Sequence, residues 1–372
     1  MPTARTLYRK ELVRCREHFE RVDLRRERGY LMKYTTFSAN VENIMPFISR
    51  SEHENLFKEL LLEEIFTSFD QQCLTAGDIV TTSGRSEFLA NNKEPFIYCT
   101  YHLGSYRLLT SLLFRKGVDC VLLVGSNMNS SQGKDLVEHT EALRRKHGLT
   151  NTFRLVDAGS PTAGLTLLRE IKAGKSIIAY VDGSAETGPE PGEEDKFLSV
   201  RFGNRRVLTR KGVGYLSHAT GVPIVPVAAY RKPDLTNVLH VSSPIRPIRN
   251  SDRDMYCQEA MQQLYDNLWR HVQRYPGQWE GWSYIQAFLE PETEVSSRVG
   301  AQWETKPTFN GNRYSICDLE EAPILFDRRT YQVYEITDDL RDLLVNIDTI
   351  DSVESLVGTE MYNELCEMEV LR

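Results

Sequence analysis

Residues 95–107 read Pro95-Phe96-Ile97-Tyr98-Cys99-Thr100-Tyr101-His102-Leu103-Gly104-Ser105-Tyr106-Arg107. An apolar, β-branched and aromatic run is followed at once by His-Leu-Gly-Ser, and then by Tyr106 to Phe114, where apolar residues recur at helical spacing. The stretch reads as a buried strand ending at His102, with a helix starting near Ser105. In an α/β sheet, ligands bind at that boundary. An imidazole there sits on rigid backbone, near the positive end of a helix dipole, and can take a proton near neutral pH. A loop histidine satisfied by backbone is the plainer alternative.

Working outward, strands and helices alternate. Asp119 to Val124 is a second buried strand, and residues 134–147 form a charged helix stopped by Gly148. Leu165 to Ala173 is a helix stopped by Gly174, leading into a third buried strand, Ser176 to Val181. Residues 213–219 give another helix, and Val222-Pro223-Ile224-Val225-Pro226-Val227 opens another strand. This alternation predicts an α/β fold with a mainly parallel central sheet flanked by helices on both faces. Asp182 ends the third strand as His102 ends the first, so it is expected to line the same crevice; otherwise it caps a turn.

Two further stretches carry charge. Arg201, Arg205, Arg206, Arg210 and Lys211 place five cations within eleven residues, interleaved with Phe202 and Gly203. Such a run is either a solvated face or a grip for an anionic ligand. Residues 1–30 are Arg-rich, with Tyr8, Leu12, Cys15, Phe19 and Val22 at helical spacing. That amphipathic helix rests on a membrane surface or packs on the domain's own core, and its narrow stripe without Trp favours packing. Residues 38–74 read as helices, with Ser51 to Glu54 as a cap and first turn, and His53 and Glu87 are expected at the surface.

The chain has 372 residues, of which 41% are hydrophobic, and a net charge of −7. Residues 301–372 hold 6 Lys+Arg against 16 Asp+Glu, leaving the rest slightly basic, so a domain boundary is expected near residue 295. No apolar run approaches the roughly 20 residues that span a bilayer and no signal-peptide pattern opens the chain, so a cytoplasmic protein with at most a peripheral hold on membrane is expected. Seven scattered cysteines without a CxxC pair read as reduced apolar residues, not as a disulfide or zinc framework.

The motifs resemble a known family. Tyr-His-Leu-Gly-Ser-Tyr at 101–106 is similar to the first block of the lysophospholipid acyltransferase superfamily, in the branch that holds the late acyltransferases of lipid A biosynthesis. Asp182 with the Phe-Gly segment at 202–203, Thr-Gly-Val-Pro-Ile-Val-Pro at 220–226, and Pro276-Gly277-Gln278-Trp279-Glu280-Gly281-Trp282 follow in the family's order. The resemblance implies His102 as general base on an acceptor hydroxyl. It also implies an acid after four intervening residues, where this chain has Arg107, and a guanidinium cannot orient and charge a histidine as a carboxylate does. Asp182 is then the candidate to replace that acid, and Trp279 and Trp282 are expected as core packing. Residues 300–372, read as a hairpin and helices, look like the winged-helix peptide-recognition module of the PqqD type; a structural cap is the alternative.

These readings give a domain at 1–295 of acyltransferase type and a small acidic winged-helix-like domain at 300–372. The expected activity moves an acyl chain from an acyl carrier protein or CoA thioester to a hydroxyl or amine of a soluble or peptidic acceptor, in natural-product biosynthesis. His102, Asp182 and Arg107 form the catalytic set, and Arg201, Arg205, Arg206, Arg210 and Lys211 bind the donor. The phosphopantetheine-linked donor is a substrate, no metal or cofactor is implied, a peptide could be held by 300–372, and nucleic acid is not expected. The alternatives are a degenerate, non-catalytic carrier- or peptide-binding protein and a membrane-surface lipid acyltransferase.

Overall fold

The computed structural model describes residues 4–21, 28–73, 76, 79–90, 94–125, 132–183, 188–189, 192–248, 251–291, 306–318 and 322–372. The helices are α1 Ala4–Phe19, α2 Arg28–Ile44, α3 Arg50–Gln72, α4 Leu108–Arg115, α5 Gln132–His147, α6 Ala163–Lys172, α7 Gly212–Thr220, α8 Arg253–Arg274, α9 Asp338–Val345, α10 Val353–Val357 and α11 Thr359–Glu367. The strands are β1 Thr81–Gly84, β2 Ile97–Thr100, β3 Cys120–Val124, β4 Phe153–Asp157, β5 Ser176–Tyr180, β6 Phe197–Phe202, β7 Arg205–Arg210, β8 Ile224–Arg231, β9 Asn237–Val241, β10 Tyr314–Asp318, β11 Pro323–Asp327 and β12 Val333–Glu335. The chain divides into two compact units, Met1–Val22 with Ser51–Glu290 and Asp23–Arg50 with Pro291–Arg372.

The larger unit is α/β. Its seven-stranded sheet has the order β1-β9-β8-β2-β5-β3-β4. Every neighbouring pair is parallel except β8 and β9. β2 lies between β5 and β8, and all four of its residues are buried, which is why its sequence is an unbroken apolar run and not an alternating one. Helix α8 is the best-specified helix. Asp252 caps it by accepting the Met255 N–H at 2.8 Å, and Tyr256, Ala260, Leu264, Leu268 and Val272 keep one face buried at helical spacing.

The Arg-rich run is a β-hairpin, a form not anticipated from the sequence. β6 and β7 pair antiparallel from Phe197↔Arg210 to Phe202↔Arg205. Val200, Phe202, Val207 and Thr209 face inward while Arg201, Arg206 and Arg210 face out, and Phe197 is buried on the outer face beneath Arg210. Helix α1 packs on its own unit, as expected: Tyr8 and Leu12 are buried with Leu62, Phe66, Leu108 and Leu235. Phe19 and Val22, assigned to the same stripe, lie outside the residues whose side chains are described. No helix among the described residues is long and apolar enough to cross a membrane.

The smaller unit differs from the expected domain in one respect. Residues 23–50, assigned to the main domain, belong with the C-terminal segment, and the boundary falls at Glu290. Polar anchors explain it. The Arg328 guanidinium is buried against Glu42 at 2.8 Å and Ser38 at 2.8 Å, and Asn43 donates to the Arg328 carbonyl at 2.8 Å, so α2 is tied to the β10-β11-β12 meander. Around it, Tyr314, Leu325, Leu344, Val353 and Leu365 form a separate core. After β12 come the expected helices, α9 and then α10 and α11, the last two separated at Gly358.

Candidate active site

β2 and β5 run side by side, with Thr100 opposite Tyr180. Two residues further on, each strand delivers a functional side chain, and register alone brings His102 and Asp182 together. The Asp182 carboxylate is fully buried and takes three donors. Its Oδ1 lies 2.9 Å from His102 Nδ1, and its Oδ2 accepts the His102 backbone N–H at 2.9 Å and the Trp279 indole N–H at 2.8 Å. A carboxylate on Nδ1 fixes the tautomer with the proton there and leaves Nε2 as the free base. The ring is stacked on Tyr180 at 4.9 Å and meets the edge of Tyr106 at 5.0 Å, and the Tyr284 hydroxyl is 3.2 Å from Nδ1. Burial opposes the imidazolium, but the charge and hydrogen bond of Asp182 outweigh it, so the His102 pKa is raised.

The loop bearing His102 is fixed by its backbone. Gly104 donates to the Gln278 carbonyl at 2.9 Å and Glu280 donates to the His102 carbonyl at 2.9 Å. Gly104 has φ +53°, and a Cβ on it would lie 2.9 Å from Tyr230 Cα, so only glycine lets the loop cross β8. Gly183, after Asp182, has φ +77°, and a Cβ there would lie 2.5 Å from the Phe288 ring. The expected helix start near Ser105 is displaced: residues 102–107 form non-helical turns and α4 begins at Leu108.

Arg107 therefore does not follow His102 on one helix face. Its guanidinium donates to Gln71 and lies 5.5 Å over the Tyr106 ring. It lines a cleft of about 730 Å³ together with Tyr106, Gln71 and Glu280. Glu280 was not singled out in the sequence. The Tyr106 hydroxyl donates to its Oε2 at 3.2 Å, and burial pushes its carboxyl up despite the nearby His102 and Arg107 charges. Trp279, expected only as packing, is core and also a donor to Asp182. Replacing Trp279 with Phe keeps the volume and removes one N–H. A fall of about tenfold in kcat with little change in KM is expected in steady-state assays, because the lost donor acts on imidazole placement and not on substrate contact.

The five cations are brought to one hairpin but are largely committed. Arg206 pairs with Glu290 at 3.1 Å and donates to the Ser199 hydroxyl at 2.7 Å. Arg210 pairs with Glu193 at 3.3 Å and covers Phe197. Arg205 donates to the Glu290 carbonyl at 3.0 Å, and Lys211 lies over Tyr215. Arg201 is exposed opposite Arg206. The hairpin packs behind the site, with the Phe202 ring 5.0 Å from Trp279.

A second buried cluster supports the loop from below. Arg231, at the end of β8, is 2% exposed. It donates to Glu63 at 3.1 Å, Asp70 at 2.8 Å and the Ser105 hydroxyl at 2.6 Å. Tyr8 and Ser105 also donate to Asp70, and Asn237 reaches the same carboxylate at 2.9 Å. Gln278 pairs with both the N–H and the carbonyl of Arg231 at 2.8 Å. Thus in the Pro-Gly-Gln-Trp segment Gln278 clamps the strand under the loop and Trp279 clamps Asp182. His53, expected at the surface, is fully buried on α3, whereas Glu87 is exposed as expected.

No family model matches this chain, and no curated protein does. Among solved structures, the 1-acyl-sn-glycerophosphate (LPA) acyltransferase PlsC from Thermotoga maritima is similar over 69% of this chain and 100% of that one, with 17% sequence identity and a TM-score of 0.35. A likeness that distant carries no functional argument.

Proposed function

We propose that the protein is an acyltransferase that moves an acyl group from a thioester donor to an acceptor hydroxyl or amine. One observation carries the reading: His102 and a fully buried Asp182 form a base–carboxylate pair at the carboxyl ends of adjacent parallel strands, beside a cleft. A buried carboxylate is costly unless something charged or donating faces it, and here the group it faces is the imidazole of the motif. His102 Nε2 removes the acceptor proton as the acceptor attacks the thioester carbonyl. The C–S bond then breaks, the imidazolium returns the proton to the thiolate, and ester or amide plus free thiol result. Asp182 holds the imidazolium between the two steps without itself taking the proton, as the missing acid at position 107 would have done. Arg107 is the positive charge on the cleft side for the developing oxyanion. The β6–β7 hairpin receives the phosphate of a phosphopantetheine arm or an acidic carrier surface, with the exposed Arg201 and the half-buried Lys211 as its cations.

Intact-mass measurement on acyl-CoA and on an acyl-loaded carrier tests this reading. Acyl loss that requires the protein and an acceptor, with thiol released in equal amount, is expected. Loss no faster than in buffer with either donor refutes it.

A further inference from the structure

The cleft beside His102 has an unusual lining for an enzyme that handles acyl chains. Of the residues that line its roughly 730 Å³, Ala142 alone lacks a polar side-chain atom. An acyl chain gains less by leaving water for a surface so rich in polar groups than for an apolar tunnel, since hydrophobic transfer scales with apolar area. This cleft is therefore the acceptor side. It adjoins the imidazole through two shared walls: the Tyr106 ring lines it and lies 5.0 Å from the imidazole, and Glu280 lines it while its N–H holds the His102 carbonyl at 2.9 Å.

Its charge then selects the acceptor. Glu64, Asp135, Glu138 and Glu280 face Arg107 as the single guanidinium, and burial lowers the pKa of His139, which keeps that imidazole neutral at pH 7. Arg107, held by Gln71 and the Tyr106 face, offsets only one of these four carboxylates. A phosphate entering beside Glu280 would set two anions together in a partly desolvated wall, whereas an ammonium would compensate Glu280 and be drawn in by the rim. Thr67, Ser68, Gln71 and Gln72 supply neutral donors and acceptors for hydroxyls.

We propose that the acceptor is a small amino alcohol whose ammonium group is held by Glu280 and whose hydroxyl receives the acyl group, and not a phosphate-bearing lipid. The proposal rests on the acyl-transfer reading for its chemistry and on the cleft for its selectivity. An ammonium held by carboxylates keeps its proton and has no lone pair, so the hydroxyl attacks. One C–O bond forms, one C–S bond breaks, and His102 carries the hydroxyl proton to the thiolate.

The test uses three probes of one skeleton: 3-amino-1,2-propanediol, glycerol and glycerol 3-phosphate. Ligand-observed NMR reads their binding to the full chain without turnover, and mass spectrometry reads the acylated products with a thioester donor. The amine is expected to bind about tenfold more tightly than glycerol, with the phosphate weakest, and to yield an ester that is stable in acid-quenched samples and rearranges to the isomeric amide once the pH is raised. Glu280→Gln should bring the amine to within about threefold of glycerol, and Glu64→Gln on the exposed rim should act in the same direction more weakly. Preference for glycerol 3-phosphate, an amide as the first product in reactions quenched in acid at early times, no binding of any probe, or an amine preference unchanged in both variants overturns the proposal. If no donor is consumed but the amine preference and its loss in Glu280→Gln are found, acyl transfer fails and the recognition of the ammonium stands.

Discussion

Alanine at position 102 slows acyl transfer by about 100- to 10,000-fold, the range that removal of a general base produces. The fold survives with a modest fall in melting temperature: backbone bonds with Gln278 and Glu280 still fix the loop, and Asp182 loses the imidazole but keeps the backbone N–H of position 102 and the Trp279 N–H. The companion Asp182→Asn separates the two roles by pH. In the native site the carboxylate raises the imidazole pKa against the opposing effect of burial. A base works only when neutral, so activity climbs as pH rises through that raised value. Asparagine removes the charge while burial remains, and the acid limb of the kcat/KM profile moves to lower pH as the plateau drops. A limb that stays in place in Asp182→Asn would show that another group titrates there; full activity in His102→Ala would remove the base from the mechanism.

The strand-end half of this site was legible because parallel strands buried on both faces have to be written as apolar runs. Pro95 to Tyr101 and Ser176 to Val181 are such runs, and a polar residue at the end of each is visible against them. β1 and β4 escaped for the opposite reason. β1 is the polar four-residue Thr-Thr-Ser-Gly on one edge, and β4 on the other edge has its Arg154 exposed. The β6–β7 hairpin was hidden by its cations: its alternation is sound, but Arg201, Arg206 and Arg210 occupy the outward positions and read as a solvated loop.

Long-range partners were out of reach. Trp279 and Glu280 lie almost 180 residues beyond His102, in short 3₁₀ turns without periodicity, and only the fold places them against the imidazole. Glu280 could have been noticed as the charged residue within an otherwise uncharged Pro-Gly-Gln-Trp-Glu-Gly-Trp segment. Asp70 and Glu63 lie on a helix that carries many charges and nothing local marks them, because the cation that justifies their burial comes from β8.

That buried cluster carries the largest expected effect on stability. Arg231→Met fills the space of the side-chain stem but leaves Glu63 and Asp70 without their cation, and breaking a buried pair by removing one partner costs about 3–5 kcal/mol. For a unit of this size the melting temperature should fall by roughly 10 °C. The loss depends on pH with a definite sign. Burial already raises the Glu63 pKa, with Arg231 opposing it, so the substitution raises it further. A carboxyl whose folded-state pKa is raised is tolerated while protonated and becomes a liability as pH rises through that value. The gap between wild type and Arg231→Met in thermal unfolding should therefore widen from pH 5 to pH 8. Adding Glu63→Gln should recover part of it, because one unpaired charge is gone. Ser105 also loses its donor from Arg231, so transfer by the folded variant should slow even at temperatures well below unfolding. A gap independent of pH, with no recovery in the double variant, would mean that the cluster stabilises by packing and not by charge compensation.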